Sequence, residues 1–284
     1  MIAALWMLGT LLSFCLMAVG VRELSGELSV FQTLFFRSVI GLLVISFVIF
    51  MTAKANAKSI KAYFCTNKLK QHTFRNLFHF GGQFGWFWGL GLLPLAEVFA
   101  LEFTVPIWTL IIATMFLGES ITRRKLLSIG LGMVGVLVIV QPGIAIIDSA
   151  SLIVLAAAIC YAVSHTATKS LSTTEAPLTI LFYMCIIQLP IALALSWSDL
   201  LLPNNIQWMW LTVIGLTALT AHFCMTKAMQ TAEVTMVVTM DFLRLPFIAA
   251  VGIWVYSEQF ELSLIIGGGL MLLGNLVNVK RATS

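Results

Sequence analysis

Ten long apolar segments run through this chain and constrain its fold more than any other feature. A helix needs about 20 apolar residues to cross the hydrocarbon core of a bilayer, and it must satisfy its own backbone polar groups there. The segments predict transmembrane helices over residues 2–21, 30–51, 74–92, 95–117, 124–142, 150–168, 177–197, 206–226, 232–255 and 261–279. We therefore expect an all-α membrane protein with ten transmembrane helices and no soluble domain.

The composition agrees with this fold class. Of the 284 residues, 60% are hydrophobic and only 10% are charged, whereas about 25% of the residues in a soluble domain are charged. The five cysteines are scattered, and they form neither a disulfide framework nor a metal-ligand spacing. We expect no metal and no cofactor. The basic residues that give the net charge of +4 are distributed along the chain as membrane topology requires. We therefore also expect no nucleic-acid partner.

Basic residues lie mostly on one side of the predicted membrane. The loops after the even-numbered segments, or the first residues beyond them, hold 13 of the 16 lysines and arginines, including Arg75. The loops after the odd-numbered segments hold Arg22 and several acids. Because cytoplasmic loops carry the excess of positive charge, both termini are predicted to be cytoplasmic.

The chain is also duplicated. A shift of 139 positions superposes LEFTVPIWTLIIATMFLGE, residues 101–119, on MDFLRLPFIAAVGIWVYSE, residues 240–258. The shift aligns Glu102 with Asp241, and it aligns the glutamates that end the two stretches. Each half of the chain therefore carries an acid within an apolar segment.

Each repeat holds five predicted helices, which is an odd number. The second repeat must therefore enter the membrane upside down relative to the first. We predict two inverted repeats, residues 1–143 and 144–284. In transporters built this way, the substrate site lies between the repeats near the middle of the membrane.

Charged residues inside the apolar segments are the strongest candidates for such a site. They are the acids Glu102 and Asp241 and the basic residues Arg37 and Arg244. Each such group costs about 2.5 to 3.5 kcal/mol at mid-membrane. Arg244 follows Asp241 by three residues, so the two share a helical face and can pair. A salt bridge that only orders the bundle is the alternative to substrate binding. Glu97 and Glu233, each at a helix start, are weaker candidates, as caps or as gates.

The third segment has two faces. Gln83 and Trp86, together with His79, are spaced to line a pocket on one face, although a purely structural role is also open. Glycines recur at every fourth residue from Gly81 to Gly89 on the other face and predict close helix packing.

Two prolines lie close to the two acids. Pro106 and Pro246 each remove an intrahelical hydrogen bond, so both predict a kink. The freed carbonyl groups must be satisfied by protein or by water, which favours a cavity there. Each proline would act as a hinge or as a static kink.

Signatures of enzymes are weak in this chain. GLGMVG at residues 130–135 matches a dinucleotide fingerprint, but that motif needs a strand before it, and here it lies inside a predicted membrane helix. We interpret it as a helix-packing surface. A membrane-embedded enzyme acting on a lipid-linked or small substrate is therefore the second interpretation.

Several motifs resemble a known family. They are FFR at residues 35–37, LPLAE at 93–97, the run from Pro106 to Glu119 that ends in LGE, and its counterpart from Pro246 to Glu258. With the duplicated ten-helix layout, they are similar to the EamA family of the drug/metabolite transporter superfamily. The resemblance implies a bacterial inner-membrane carrier with a central cavity. Members of that family include exporters of amino acids and metabolites, and importers of S-adenosylmethionine or riboflavin.

Together these features predict a secondary transporter that moves a small polar or zwitterionic organic metabolite, such as an amino acid or an S-adenosylmethionine-like compound, by alternating access. Arg37 and Arg244 would hold anionic groups. Glu102 and Asp241 would hold cationic groups, or titrate if transport is coupled to protons. Trp86 would stack on the substrate. The four charges sum to zero, which favours zwitterions and monovalent ions over polyanions. The oligomeric state is left open.

Overall fold

A computed structural model describes residues 2–56, 59–93, 95–140, 149–256 and 262–279. Within these ranges the chain forms helices and no strands, apart from an isolated bridge between Ser25 and Leu28. The α-helices are α1 Ile2–Leu24, α2 Val30–Ala55, α3 Lys61–Phe64, α4 Leu69–Leu92, α5 Leu95–Glu102, α6 Val105–Leu117, α7 Arg123–Val140, α8 Ser149–Ser172, α9 Pro177–Ser196, α10 Asn205–Thr231, α11 Val234–Met240, α12 Arg244–Tyr256 and α13 Leu262–Val279. A 3-10 turn at Asp241–Leu243 joins α11 to α12.

Six helical runs in the described part of the chain are long and apolar enough to cross a membrane. They are Ile2–Leu24, Val30–Ala55, Ala150–Ser172, Pro177–Ser196, Asn205–Thr231 and Val234–Val255. Two further helices, over Val105–Leu117 and Ile265–Gly274, are apolar but shorter. Helix α4 is outside this set because polar side chains are spread along it. Large apolar side chains such as Phe116 and Trp254 are exposed on the outer surface, where lipid would cover them.

Two predicted membrane helices are interrupted. The segment predicted over 95–117 is broken between α5 and α6, and the segment predicted over 232–255 changes to a 3-10 turn after α11. Pro106 and Pro246 follow within the first three residues of α6 and α12, where a missing N–H costs little. The interruptions place Glu102 at the last residue of α5 and Asp241 at the change from α-helix to 3-10 turn.

The polar stretch between the second and third predicted helices differs from a plain loop. Helix α2 continues to Ala55, the short helix α3 lies within the stretch, and α4 begins at Leu69, before the predicted start of the third helix. Arg75 therefore lies within α4 and is 2% exposed. The segment predicted over 74–92 already includes Arg75, and the burial of its side chain shows that it points into the protein, unlike the lysines of the preceding loop.

The helices pack in pairs. Helix α1 packs on α10, α4 on α8, α2 on α9 and α7 on α13, while α6 packs on both α8 and α11. Small residues permit the closest of these contacts. A Cβ at Gly135 of α7 would lie 2.6 Å from the carbonyl oxygen of Gly267, and one at Gly274 would lie 2.9 Å from that of Ser128. The GLGMVG segment is therefore a packing surface between α7 and α13, as its position in the sequence predicts.

Candidate functional site

Arg244 is the centre of a buried charged cluster. Its Nη2 atom lies 2.7 Å from Glu102 Oε1 and 3.0 Å from Asp241 Oδ2. The two acids are the residues that the internal duplication aligns, and each lies at a helix interruption. Two carboxylates and one guanidinium give the cluster a formal charge of −1. The Asp241–Arg244 pair is the one that the three-residue spacing predicts.

Aromatic rings surround this guanidinium. Arg244 Cζ lies 5.1 Å from the ring centroids of Phe14 and Phe99, and 5.7 Å from that of Phe103. Ring faces attract a cation, and they also exclude water from the ion pairs. The charges therefore interact in a low-dielectric setting, where an unpaired group is costly.

Trp86 and Gln83 complete the cluster. Trp86 Nε1 donates a hydrogen bond to Glu102 Oε2 at 2.7 Å, so both carboxylate oxygens of Glu102 are engaged. In contrast, Gln83 Oε1 and Asp241 Oδ1 are buried without a hydrogen-bond partner in the described part of the chain. These two oxygens are acceptors available to a ligand.

The cluster borders a very small cavity. Its volume is about 20 Å³, which is enough for one water molecule, whereas sites for small organic ligands enclose about 300 to 1,000 Å³. The cavity is lined by Phe14, Met17, Gln83, Trp86, Glu102, Tyr161, His165, His222, Met225, Asp241 and Arg244. In this structure the charged residues therefore hold each other, and the space beside them is smaller than a small organic ligand needs.

Five of the six residues that the sequence predicts for substrate binding line this cavity, and Arg37 does not. Arg37 Nη1 lies 3.5 Å from Gln188 Oε1, and Gln188 Nε2 lies 2.8 Å from His79 Nδ1. Arg37 is buried, with 3% of its surface exposed. It therefore belongs to a separate polar cluster between α2, α4 and α9.

Sequence reasoning missed Arg75 and Gln188 in this second cluster. Arg75 Nε donates to Thr168 Oγ1 at 3.0 Å, and its Nη1 donates to Asn76 Oδ1 at 2.6 Å. Arg75 adjoins the loop lysines Lys68 and Lys70 in sequence, which favours counting it with the charges of that loop. A useful signal was present, since Arg75, His79 and Gln83 recur at every fourth residue and so share one face of α4.

The two prolines flank the acidic cluster. Pro106 is the second residue of α6 and is buried. Pro246 packs against α13, where a Cβ at Gly268 would lie 3.3 Å from Pro246 Cγ.

Glu258 and the side chain of Glu97 lie outside the described residues.

A bundle of apolar helices that encloses a charged cluster between its two halves defines a polytopic membrane protein. The chain belongs to the EamA-like transporter family, whose profile it matches over residues 1–141 and 148–280.

Named relatives agree with this family. The chain is 25% identical to the S-adenosylmethionine uptake transporter of Rickettsia felis over 94% of this chain and 88% of the relative. It is 30% identical to the riboflavin transporter of Brucella anthropi over 73% of this chain and 78% of the relative. It is 24% identical to the pseudopaline exporter CntI of Pseudomonas aeruginosa over 95% of this chain and 92% of the relative.

The fold has a counterpart among solved structures. One crystal structure superposes with a TM-score of 0.79 at 15% identity, over 98% of this chain and 96% of the other. The family and the named relatives make this chain a transporter with a small-molecule substrate, and the alternative of a membrane-embedded enzyme is wrong. With the apolar helices, they make it a multi-pass protein of the inner membrane.

Proposed function

We propose that the protein is a secondary transporter that moves a small polar or zwitterionic organic metabolite by alternating access. An amino acid or an S-adenosylmethionine-like compound, which carries a cationic group and a carboxylate, is the class of substrate. The observation that carries the proposal is the bridge from Arg244 to Glu102 and Asp241 at the two helix interruptions. A charged site that joins the two halves of the chain suits a carrier, since movement of one half against the other would change its access.

The proposal includes ten transmembrane helices in two inverted repeats, 1–143 and 144–284, with both termini in the cytoplasm. The helix pairs support this arrangement. We let the first five membrane helices correspond in order to the last five, so that α1 corresponds to α8 and α4 corresponds to α10. Exchanging the two repeats then turns the α1–α10 pair into the α8–α4 pair. The pairs α2–α9 and α7–α13 are then exchanged with themselves, and the α6–α11 pair becomes the α12–α5 pair, which is also in contact. Inverted repeats related by a pseudo-two-fold axis would pack in this way.

Each residue of the acidic cluster has a proposed role. Asp241, which has one free carboxylate oxygen, binds the cationic group of the substrate, while Glu102 keeps Arg244 in place. Gln83 accepts a hydrogen bond, Trp86 packs on the substrate, and Arg37 binds an anionic group. Because the cluster has a formal charge of −1, it favours a positively charged group over a polyanion. Pro106 and Pro246 mark the hinges at which the helices open the cavity.

Counterflow in proteoliposomes tests this function. Vesicles containing only the purified protein would be preloaded with unlabelled S-adenosylmethionine, an amino acid mixture or riboflavin, and the uptake of each labelled compound would be followed. We expect saturable exchange of an unmodified cationic or zwitterionic compound. Exchange of riboflavin alone, or of a nucleotide diphosphate, would contradict the proposed substrate class.

Two variants connect the function to the site. Asp241→Asn and Glu102→Gln keep the shape of the side chain and remove its charge. We expect both to abolish counterflow while inserted protein stays near the wild-type level. If transport is coupled to protons, an imposed pH gradient accelerates uptake by the wild type. Wild-type exchange in both variants would show that the cluster only braces the bundle.

A further inference from the structure

Arg37 is enclosed by protein but is only partly satisfied. Its Nη1 atom has a long contact of 3.5 Å with Gln188. Its Nε and Nη2 atoms are buried and have no hydrogen-bond partner among the residues that the structure describes. A buried charge without partners is unfavourable, so a group that supplies an acceptor at this point would be stabilised.

The two free nitrogens define the shape of that acceptor. Nε and Nη2 lie on one edge of the planar guanidinium, and their N–H bonds point the same way. This edge binds a carboxylate through two parallel hydrogen bonds. The contact with Gln188 uses the other terminal nitrogen and leaves this edge free.

A second buried arginine adds to the positive charge. Arg75 is held by neutral partners, Thr168 and Asn76. Gln188 links the two arginines, since its Nε2 atom lies 3.5 Å from the backbone oxygen of Asn76. Among the described residues, neither arginine forms an ion pair. Two buried guanidinium groups therefore belong to one polar cluster, and no anion in the described part of the chain pairs with either of them.

This basic cluster adjoins the acidic one. The ring of His79, which contacts Gln188, lies 4.6 Å from the ring of His222, and His222 lines the central cavity. A ligand that extends past these histidines would meet a cluster of charge −1 at one end and two positive charges at the other. A substrate with a cationic group and a carboxylate matches this order.

We propose that Arg37, through its free Nε and Nη2 edge and with Arg75 as a supporting charge, forms a carboxylate subsite for the transported compound. The subsite deepens the proposed function and rests on it for the identity of the ligand. It is distinct from the cluster around Arg244, whose guanidinium is already held by two acids. A transported compound therefore needs a carboxylate as well as a cationic group.

Acetate is the probe, because it is the smallest stable carboxylate that can bind to one guanidinium edge in this way. Sodium acetate would replace sodium chloride at constant ionic strength and pH, and the Tm of the detergent-solubilised full-length protein would be followed. Acetamide is the neutral isostere, and inorganic phosphate is the tetrahedral anion. We expect a saturable rise in Tm with acetate and none with acetamide.

Two variants assign the effect to Arg37. Arg37→Gln should weaken acetate binding by about tenfold or more, because charged hydrogen bonds are lost. Gln188→Glu places a carboxylate beside Arg37 Nη1 as an internal anion that offsets the positive charge, so its Tm without acetate should exceed that of the wild type and its response to acetate should be weaker. This second variant keeps the test decisive if Arg37→Gln does not fold. Lys227→Gln, on the protein surface, should respond as the wild type does.

Several results would overturn the subsite. They are the absence of an acetate response in the wild type, an equal response to acetamide, a response to phosphate but not to acetate, and an unchanged acetate response in Gln188→Glu. None of these measurements involves transport. Loss of the subsite with intact counterflow would reject this inference alone, whereas acetate binding without counterflow would reject only the proposed function.

Discussion

Glu119 Oε1 accepts a hydrogen bond of 2.8 Å from the backbone N–H of Val234, so a side chain that follows α6 caps the first turn of α11. Its Oε2 atom accepts from Thr235 Oγ1 at 2.7 Å and lies 3.1 Å from Lys125 Nζ. Lys125 also pairs with Glu233 at 2.9 Å. The LGE glutamate thus joins the two halves of the chain, and Glu233, the residue at the cap position itself, makes no side-chain cap.

Replacing Glu119 should destabilise this junction. In Glu119→Ala, the N–H of Val234 and the hydroxyl of Thr235 lose their acceptor in a buried site, which costs about 1 to 3 kcal/mol. We expect a clearly lower Tm in detergent. Glu27→Ala is the control, because Glu27 is exposed and its bond to Gln207 is exposed as well. Equal effects of the two substitutions would show that the cap contributes nothing.

The Arg244 bridge should behave as a unit. Arg244→Met leaves two buried acids without a cation and should cost about 3 to 5 kcal/mol of stability. The triple variant Arg244→Met, Glu102→Gln, Asp241→Asn removes all three charges, and we expect it to recover most of the lost stability. Thermal unfolding of the purified variants measures both effects. A triple variant as unstable as Arg244→Met would contradict electrostatic coupling among the three residues.

Cys65 reports the orientation of the protein. It is the exposed cysteine of the loop that precedes α4, whereas the other four are buried or half-buried. The positive-inside rule places this loop in the cytoplasm. A membrane-impermeant maleimide should therefore label Cys65 in inside-out vesicles and not in intact cells. Cys65→Ser should abolish the labelling. Labelling of intact cells would reverse the topology.

The contact between α7 and α13 should tolerate no added methyl group at Gly135. A Cβ there would lie 2.6 Å from a backbone oxygen, and overpacking of this kind costs about 1 to 3 kcal/mol. We expect Gly135→Ala to lower the Tm. Gly130→Ala on the same helix is the matched control, since a Cβ there meets nothing within 4 Å. Alanine favours a helix more than glycine does, so Gly130→Ala should keep or raise the Tm. A similar Tm loss in both variants would contradict the packing explanation.

Hydropathy and charge were sufficient to identify the acidic cluster. Glu102, Asp241 and Arg244 are conspicuous in the sequence because ionisable groups are rare in apolar segments, and the duplication aligns the two acids. The interruptions before Pro106 and Pro246 were predicted only as kinks. A proline shows that a helix is disturbed nearby, but the place where the hydrogen bonding changes depends on the packing around it.

The partner of each buried charge was harder to predict. Arg37 was expected beside the acids, yet it contacts Gln188 in a different cluster. The depth of a residue in the membrane follows from its position in an apolar segment. The side chains that it contacts depend on how its helix is rotated and on which helix lies next to it. Arg75 shows the same difficulty, because its sequence neighbours Lys68 and Lys70 suggest a loop while its side chain is buried in α4.

The 20 Å³ cavity beside Arg244 also determines how affinity should be interpreted. A protein that binds only after its cavity expands has an apparent Kd equal to the intrinsic Kd divided by the fraction of expanded molecules. If that fraction were about 1%, binding would be weakened about 100-fold with no change in any contact. Substitutions that loosen the closed cluster can thus strengthen apparent binding while weakening the fold, and a tight-binding variant need not be a better transporter.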